Sequence, residues 1–146
     1  ATVARNEVWR DPALFWEDVV RKSPDNVRAA GMLSEVYLHR GMPEAAIEAQ
    51  EAMIRRRPEL GRPRFFLGSL YLRLGRLPDA VAELERARAV RDDKGEIHLA
   101  LAQAYLGLGR LDDARAAVAA LERLEPWTPE LPGLRAQVAA GAELAP

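Results

Sequence analysis

The chain contains no cysteine, which excludes disulfides and thiolate metal sites. That absence does not fix the compartment, because a helical array needs no disulfide staple. Neither sign of charge dominates: 21 basic residues stand against 22 acidic ones, for a formal net charge of -1. Nucleic-acid binding as a main role needs a clear basic excess to neutralise phosphates and is not expected here. No apolar run approaches the roughly 18 residues of a membrane span. There is no signal-peptide pattern, and the sequence begins at Ala1 rather than at a methionine, so it reads as a fragment of a longer protein or a processed one. Aromatic residues are scarce, at 6%, while alanine, leucine and arginine are abundant, which favours helix over sheet. Hydrophobic residues make up 49% of the 146, enough for the continuous core of one compact domain or one short repeat array.

Catalytic groupings are equally scarce. There is no Gly-x-x-x-x-Gly-Lys phosphate loop and no evident nucleophile–base pair. The two histidines, His39 and His98, have no partner at metal-ligand spacing. No cofactor, metal or catalytic residue is expected, and the chain does not read as an enzyme. Arg55, Arg56 and Arg57 would end a helix, where basic side chains complement the dipole, so a solvated edge is expected rather than a nucleic-acid patch. Asp112 and Asp113 open a helix, where acids are favoured for the same reason, and Asp92 and Asp93 fall in a turn.

What the chain does have is self-similarity. Residues 33–41, 67–75 and 101–109 share a Leu-x-x-x-Tyr-Leu-x-x-Gly pattern at a step of 34 residues. Leu33, Leu67 and Leu101 keep that step, as do Tyr37, Tyr71 and Tyr105, and Ala46, Ala80 and Ala114. Pro58 and Pro126 close the first and third units, with Asp92 in that place in the second. Each unit reads as two helices joined at a glycine. In the middle unit Leu67, Leu70, Tyr71 and Leu74 fall on one face at helical spacing, and Leu77, Ala80, Val81, Leu84 and Ala87 form the inner face of the next helix. Gly75 ends the first helix in the left-handed conformation that glycine adopts at little cost. Gly68, Ala80 and Ala87 are small where two backbones must approach closely.

This pattern of Leu, a small residue, Tyr, a later Ala and a closing Pro resembles the tetratricopeptide repeat. The resemblance implies an all-α fold, a right-handed α-α superhelix. Three repeats, 27–60, 61–94 and 95–128, would follow an N-terminal segment and capping helix in 1–26, and a C-terminal capping helix would occupy 129–146. The family's first-helix Trp is replaced by Ala30, Arg64 and His98. The late small residue is kept only by Ala87, its equivalents being Met53 and Leu121. At the N-terminus Asp11 and Pro12 start an amphipathic helix running to Lys22, with Phe15, Trp16, Val19 and Val20 inward, and residues 23–26 stop it and cap the next. At the C-terminus residues 128–132 start a helix to about Leu144, whose Leu134, Val138 and Ala142 would cover the third repeat, with Trp127 packed at the junction.

A second resemblance lies in residues 5–9 and 14–29, which are similar to the junction between the last membrane span and the C-terminal tetratricopeptide domain of bacterial multi-span glycosyltransferases related to transmembrane O-mannosyltransferases. It implies an extracytoplasmic, periplasmic domain tethered to a membrane-embedded parent chain. A cytoplasmic location stays equally open.

Tetratricopeptide arrays line a concave groove with their first, or A, helices. The resemblance places in it Arg28, Gly31, Glu35, Leu38 and His39 from the first repeat. The second gives Arg62, Phe65, Ser69, Leu72 and Arg73, and the third Glu96, Leu99, Gln103, Leu106 and Gly107. Phe65 is the leading anchor, because an exposed Phe in a groove is costly without a partner. The Lys and Asn with which chaperone-tail adaptors clamp a terminal carboxylate are missing at Gly31 and Glu35, Phe65 and Ser69, and Leu99 and Gln103. The expected function is a protein–protein interaction scaffold that binds a peptide or helix of a partner. The alternative is the extracytoplasmic tail of a membrane glycosyltransferase that recruits or positions acceptor protein. A homo-oligomer built through a terminal face is a further reading, open to sedimentation.

Overall fold

A computed structural model describes residues 11–144. Among them are eight helices and no strands: α1 (Pro12–Lys22), α2 (Val27–His39), α3 (Pro43–Arg56), α4 (Gly61–Arg73), α5 (Leu77–Val90), α6 (Gly95–Gly107), α7 (Leu111–Leu124) and α8 (Leu131–Leu144). The helices α2, α4 and α6 begin at 27, 61 and 95, and α3, α5 and α7 at 43, 77 and 111, so every start recurs after 34 residues.

Local chemistry sets these boundaries. Asp11 caps α1 by accepting from the Ala13 amide at 2.8 Å, with Pro12 in the first turn. Asn26 caps α2 by accepting from the Ala29 amide at 3.0 Å. The A helices end at Gly41, Gly75 and Gly109, with φ of 70°, 73° and 68°. In each of these turns the amide after the glycine donates to the tyrosine carbonyl five residues back, at 2.9 Å in all three. This is the Schellman closure, which needs a residue that tolerates positive φ.

The chain divides into two compact units, 1–67 and 68–146, with the boundary inside α4. In the first, α1 packs on α2 and α2 on α3. Ala30, Leu33, Ala46 and Met53 are buried, and so are Ser34 and Gln50. The Gln50 amide donates to the Ser34 hydroxyl at 2.7 Å and to the Ala30 carbonyl at 3.0 Å, and the Ser34 hydroxyl also lies 3.0 Å from the Ala46 carbonyl. These bonds satisfy the Ser34 hydroxyl and the Gln50 amide nitrogen, while the buried Gln50 Oε1 accepts none.

In the second unit α5, α6, α7 and α8 pack in succession, and α6 also touches α8. Ala80, Val81, Leu84 and Ala87 are buried as expected, and Leu84, Leu101 and Leu121 are wholly so. Leu131, Leu134 and Val138 are buried in α8.

Three expected burials are corrected. Ala142 is exposed. Leu74 is 36% exposed, because α4 ends at Arg73 and Leu74 already lies in the glycine turn. Trp127 does not pack at the junction and is 92% exposed. The turn closes between Thr128 and Glu125, whose carbonyl accepts from the Thr128 amide at 3.1 Å and from its hydroxyl at 2.8 Å, leaving Trp127 at the crest. Its equivalents one, two and three periods earlier are Asp93, Glu59 and Asp25, all exposed. Trp127→Ser is expected to shift stability by less than about 0.5 kcal/mol, as surface substitutions usually do; a larger loss in a thermal melt would mean that the ring packs.

Candidate functional site

The outward positions of the A helices fall on accessible surface in each unit. In the first, Arg28, Glu35, His39 and Arg62 are exposed, and Leu38 and Phe65 are half-buried. The His39 Nδ1 lies 2.7 Å from the Glu35 carbonyl oxygen, which ties the ring to its own helix. Gly31 is a correction: it is buried, because the Phe66 ring lies over it, and a Cβ there would sit 3.2 Å from Phe66 Cε2. The Phe65 and Phe66 ring centroids are 5.9 Å apart, and the Arg62 guanidinium stands 5.1 Å from the Phe66 centroid. Phe65 is thus partly covered rather than bare, which lowers the cost of keeping it at the surface.

In the second unit Arg73, Glu96, Gln103 and Gly107 are exposed, and Ser69, Leu72, Leu99 and Leu106 are half-buried. A cleft of about 600 Å³ is lined there by Gln103, Leu106, Gly107, Gly109 and Leu111, and by Gln137 and Gly141 from α8. The two α8 residues were missed in the sequence reading. The signal was present, since Gln137 and Gly141 stand 34 residues after Gln103 and Gly107. Close packing explains the glycines. A Cβ at Gly107 would lie 2.6 Å from Leu77 Cδ1, and one at Gly141 would lie 2.5 Å from Leu111 Cδ2.

The remaining polar groupings are paired with one another. Arg55 pairs with Glu48 at 2.6 Å, Arg56 with Asp25 at 3.0 Å and Arg57 with Glu59 at 2.6 Å, so the arginine run is balanced by acids at the surface. Asp93 pairs with Arg91 at 3.0 Å, and Asp112 with Arg115 at 2.8 Å. Among the described residues no group of three potential metal ligands occurs. His98 is buried, at 3% exposure, with Nε2 2.9 Å from the Asp92 carbonyl and 3.2 Å from its carboxylate. His98 replaces the repeat's Trp and Asp92 its closing Pro, so these two departures meet each other.

The recurrent tyrosines are also accounted for. Tyr37 donates to Glu17 at 2.8 Å, and Tyr105 donates to Glu85. Burial, with the neighbouring Glu17 carboxylate, pushes the Tyr37 hydroxyl up to about 12. Burial and Glu85 raise Tyr105 likewise. Arg76 stacks over Tyr71 at 4.5 Å and Arg110 over Tyr105 at 4.7 Å, each also bridging to an aspartate three residues on at 2.7 Å.

Two tetratricopeptide-repeat family models match the chain, one over residues 13–60 and the other over 71–138. A thermophilic TPR protein of Thermus thermophilus is 30% identical, with 88% of this chain and 70% of that one covered and a TM-score of 0.71. This chain belongs to the tetratricopeptide-repeat family. Two further tetratricopeptide structures share the fold. The first TPR of Spaghetti (RPAP3), bound to the HSP90 peptide SRMEEVD, has a TM-score of 0.72 at 20% identity, with 80% of this chain and 95% of that one covered. The TPR2B domain of yeast Sti1, in its pHsp70 complex, has a TM-score of 0.69 at 16% identity, with 82% and 98% covered. A sequence comparison with curated proteins finds no match. The fold class is that of the all-α tetratricopeptide solenoid, and none of its described helices is long and apolar enough to cross a membrane.

Proposed function

We propose that this tetratricopeptide domain is a protein-interaction scaffold, not a catalyst, that holds a peptide or helix of a partner against the outward faces of its A helices. The observation that carries the reading is the surface mixture on those faces in each unit: half-buried Phe65 with exposed Arg28 and Arg62 in the first, and half-buried Leu72, Leu99 and Leu106 with exposed Arg73 in the second. Aromatic and arginine side chains are the favoured anchors of interfaces. The peptide complexes of the Spaghetti and Sti1 relatives support it.

A peptide-display selection against the whole chain tests the proposal. Selected ligands are expected at micromolar affinity, about −8 kcal/mol. Replacing Phe65 and Arg73 together with alanine is expected to weaken them by about 30-fold or more, in keeping with two anchor residues. An affinity unchanged in the double variant would overturn the assignment of these faces.

The glycosyltransferase-tail reading rests on the resemblance in residues 14–29, which fold as α1, its capping turn and the start of α2. The part in residues 5–9 lies outside the described residues. Several apolar spans encoded just upstream of Ala1 would support that reading, and further tetratricopeptide units there would exclude it.

A further inference from the structure

The turn between α7 and α8 differs in chemistry from the turns that stand one and two repeats before it. In those two turns the flanking charges satisfy each other: Arg57 pairs with Glu59 at 2.6 Å and Arg91 with Asp93 at 3.0 Å. The equivalents of these residues in the α7–α8 turn are Glu125 and Trp127. The base has become an acid and the acid an indole, so the ion pair is gone. Glu130 adds a second exposed carboxylate. The Glu125 carboxylate rests on Gly95 at the start of α6, where the helix dipole favours an acid, and Glu125 is exposed as well. Among the described residues neither carboxylate pairs with a base. With Glu122 bound to Arg135, residues 121–131 hold these two acids against one base, Arg123.

Trp127, at 92% exposure, buries almost nothing for the fold, yet its turn is firmly tied. The Glu125 carbonyl accepts from the Thr128 amide and hydroxyl, and the Thr128 carbonyl accepts from the Leu131 amide at 3.2 Å. Pro126 and Pro129, with their fixed φ, stand on either side of the ring. A partner that lands on the indole therefore orders little backbone, which lowers the cost of binding. Charge selects that partner. An acidic segment or an anionic lipid surface is repelled by the two carboxylates. A purely apolar pocket would strip their hydration without replacing it. A lysine or arginine side chain meets neither penalty. Trp is the best aromatic ring for a cation, the aliphatic stem can lie along apolar surface, and the carboxylates supply the opposite charge.

We propose that the α7–α8 turn is a separate interaction surface, on which Trp127 receives a lysine or arginine side chain from a basic segment of a partner protein, with Glu125 and Glu130 flanking it. This goes beyond the scaffold reading above and does not depend on the A-helix faces.

The probe is capped hexa-arginine, titrated into the isotope-labelled chain while the indole N–H resonances are followed. The Trp127 resonance is the one that Trp127→Ser removes. It is expected to shift with the peptide, and less so as added salt screens the carboxylates. Trp127→Ser is expected to weaken binding by about 2- to 5-fold, the range for an exposed cation–π contact, and Trp127→Phe by less. Glu125→Gln and Glu130→Gln together are expected to weaken it by about 2- to 20-fold, the range for two exposed ion pairs. The Phe65 and Arg73 double variant should bind hexa-arginine as the native chain does. No shift of the Trp127 indole, an equal shift with capped hexa-glutamate, or undiminished binding by Trp127→Ser would each overturn the proposal. So would loss of binding in the Phe65 and Arg73 double variant, which would move the site to the A helices. If the indole responds instead to chain concentration it docks on a second copy, and if it responds instead to phosphatidylcholine vesicles it enters lipid; either result also overturns the proposal.

Discussion

Gly68→Leu is expected to destabilise the chain by about 1–3 kcal/mol, the usual range for overpacking a close-packed site. Gly68 faces α5. A Cβ there would lie 2.6 Å from Leu84 Cγ and 3.2 Å from the Leu84 backbone nitrogen. Leu84 has no exposed surface, so it cannot swing into solvent to make room, and the nearby backbone nitrogen blocks any large shift. Even Gly68→Ala should destabilise, although alanine is favoured over glycine in a helix by about 1 kcal/mol. Thermal melts read both variants. For a chain of this size a loss of 1 kcal/mol lowers Tm by about 2–4 °C. A melt unchanged by Gly68→Leu would mean that α4 and α5 do not approach as closely as described. Combined with Leu84→Ala, Gly68→Ala should cost less than it does alone in the wild-type background, so that the two losses are less than additive, since residues in contact couple.

The same position shows how one helix contact is made with different chemistry. Ser34, Gly68 and Ala102 are equivalents, and so are Gln50, Leu84 and Val118. The first repeat joins its pair by a buried hydrogen bond of 2.7 Å, and the second by a glycine against a leucine. Small residue types recur there, but the partner across the contact differs.

The second large effect is expected from Leu101→Ala, at about 2–5 kcal/mol, the range for emptying a fully buried leucine site. Leu101 has no exposed surface, and its neighbours Ala100, Ala102 and Ala104 are buried too, so the site has little means of collapse. Leu74→Ala is the informative control. By spacing alone Leu74 belongs to the same inward stripe as Leu67 and Leu70, yet it is 36% exposed beyond the end of α4. Its loss should therefore be under about 1 kcal/mol, well below that of Leu101. Equal destabilisation by the two substitutions would show that the inner face extends past the glycine turn.

The candidate site was legible in part. The positions implied by the repeat resemblance put Arg28, Glu35, His39, Arg62, Arg73 and Gln103 on the surface, where they lie, because the face that a side chain occupies on a helix is a property of its position in the repeat. Gly31 was placed with them and is buried, since its environment is set by Phe66, a residue 35 positions away. The contribution of α8 to the cleft was missed for a related reason. A terminal helix keeps the period of Gln103 and Gly107 in Gln137 and Gly141 while losing most of the repeat's other residues.

The helices, their starts and ends, the glycine turns and the 34-residue step follow from the order of residues along the chain. Capping, positive φ and helical periodicity act over a few neighbouring residues, and repetition makes them recur. Which side chains lie under cover does not follow from that order. Gly31 under the Phe66 ring, Gly68 against Leu84 and Gly107 against Leu77 each depend on what another helix brings close. Burial is a property of pairs of elements, and the pairing exists only once the helices have packed.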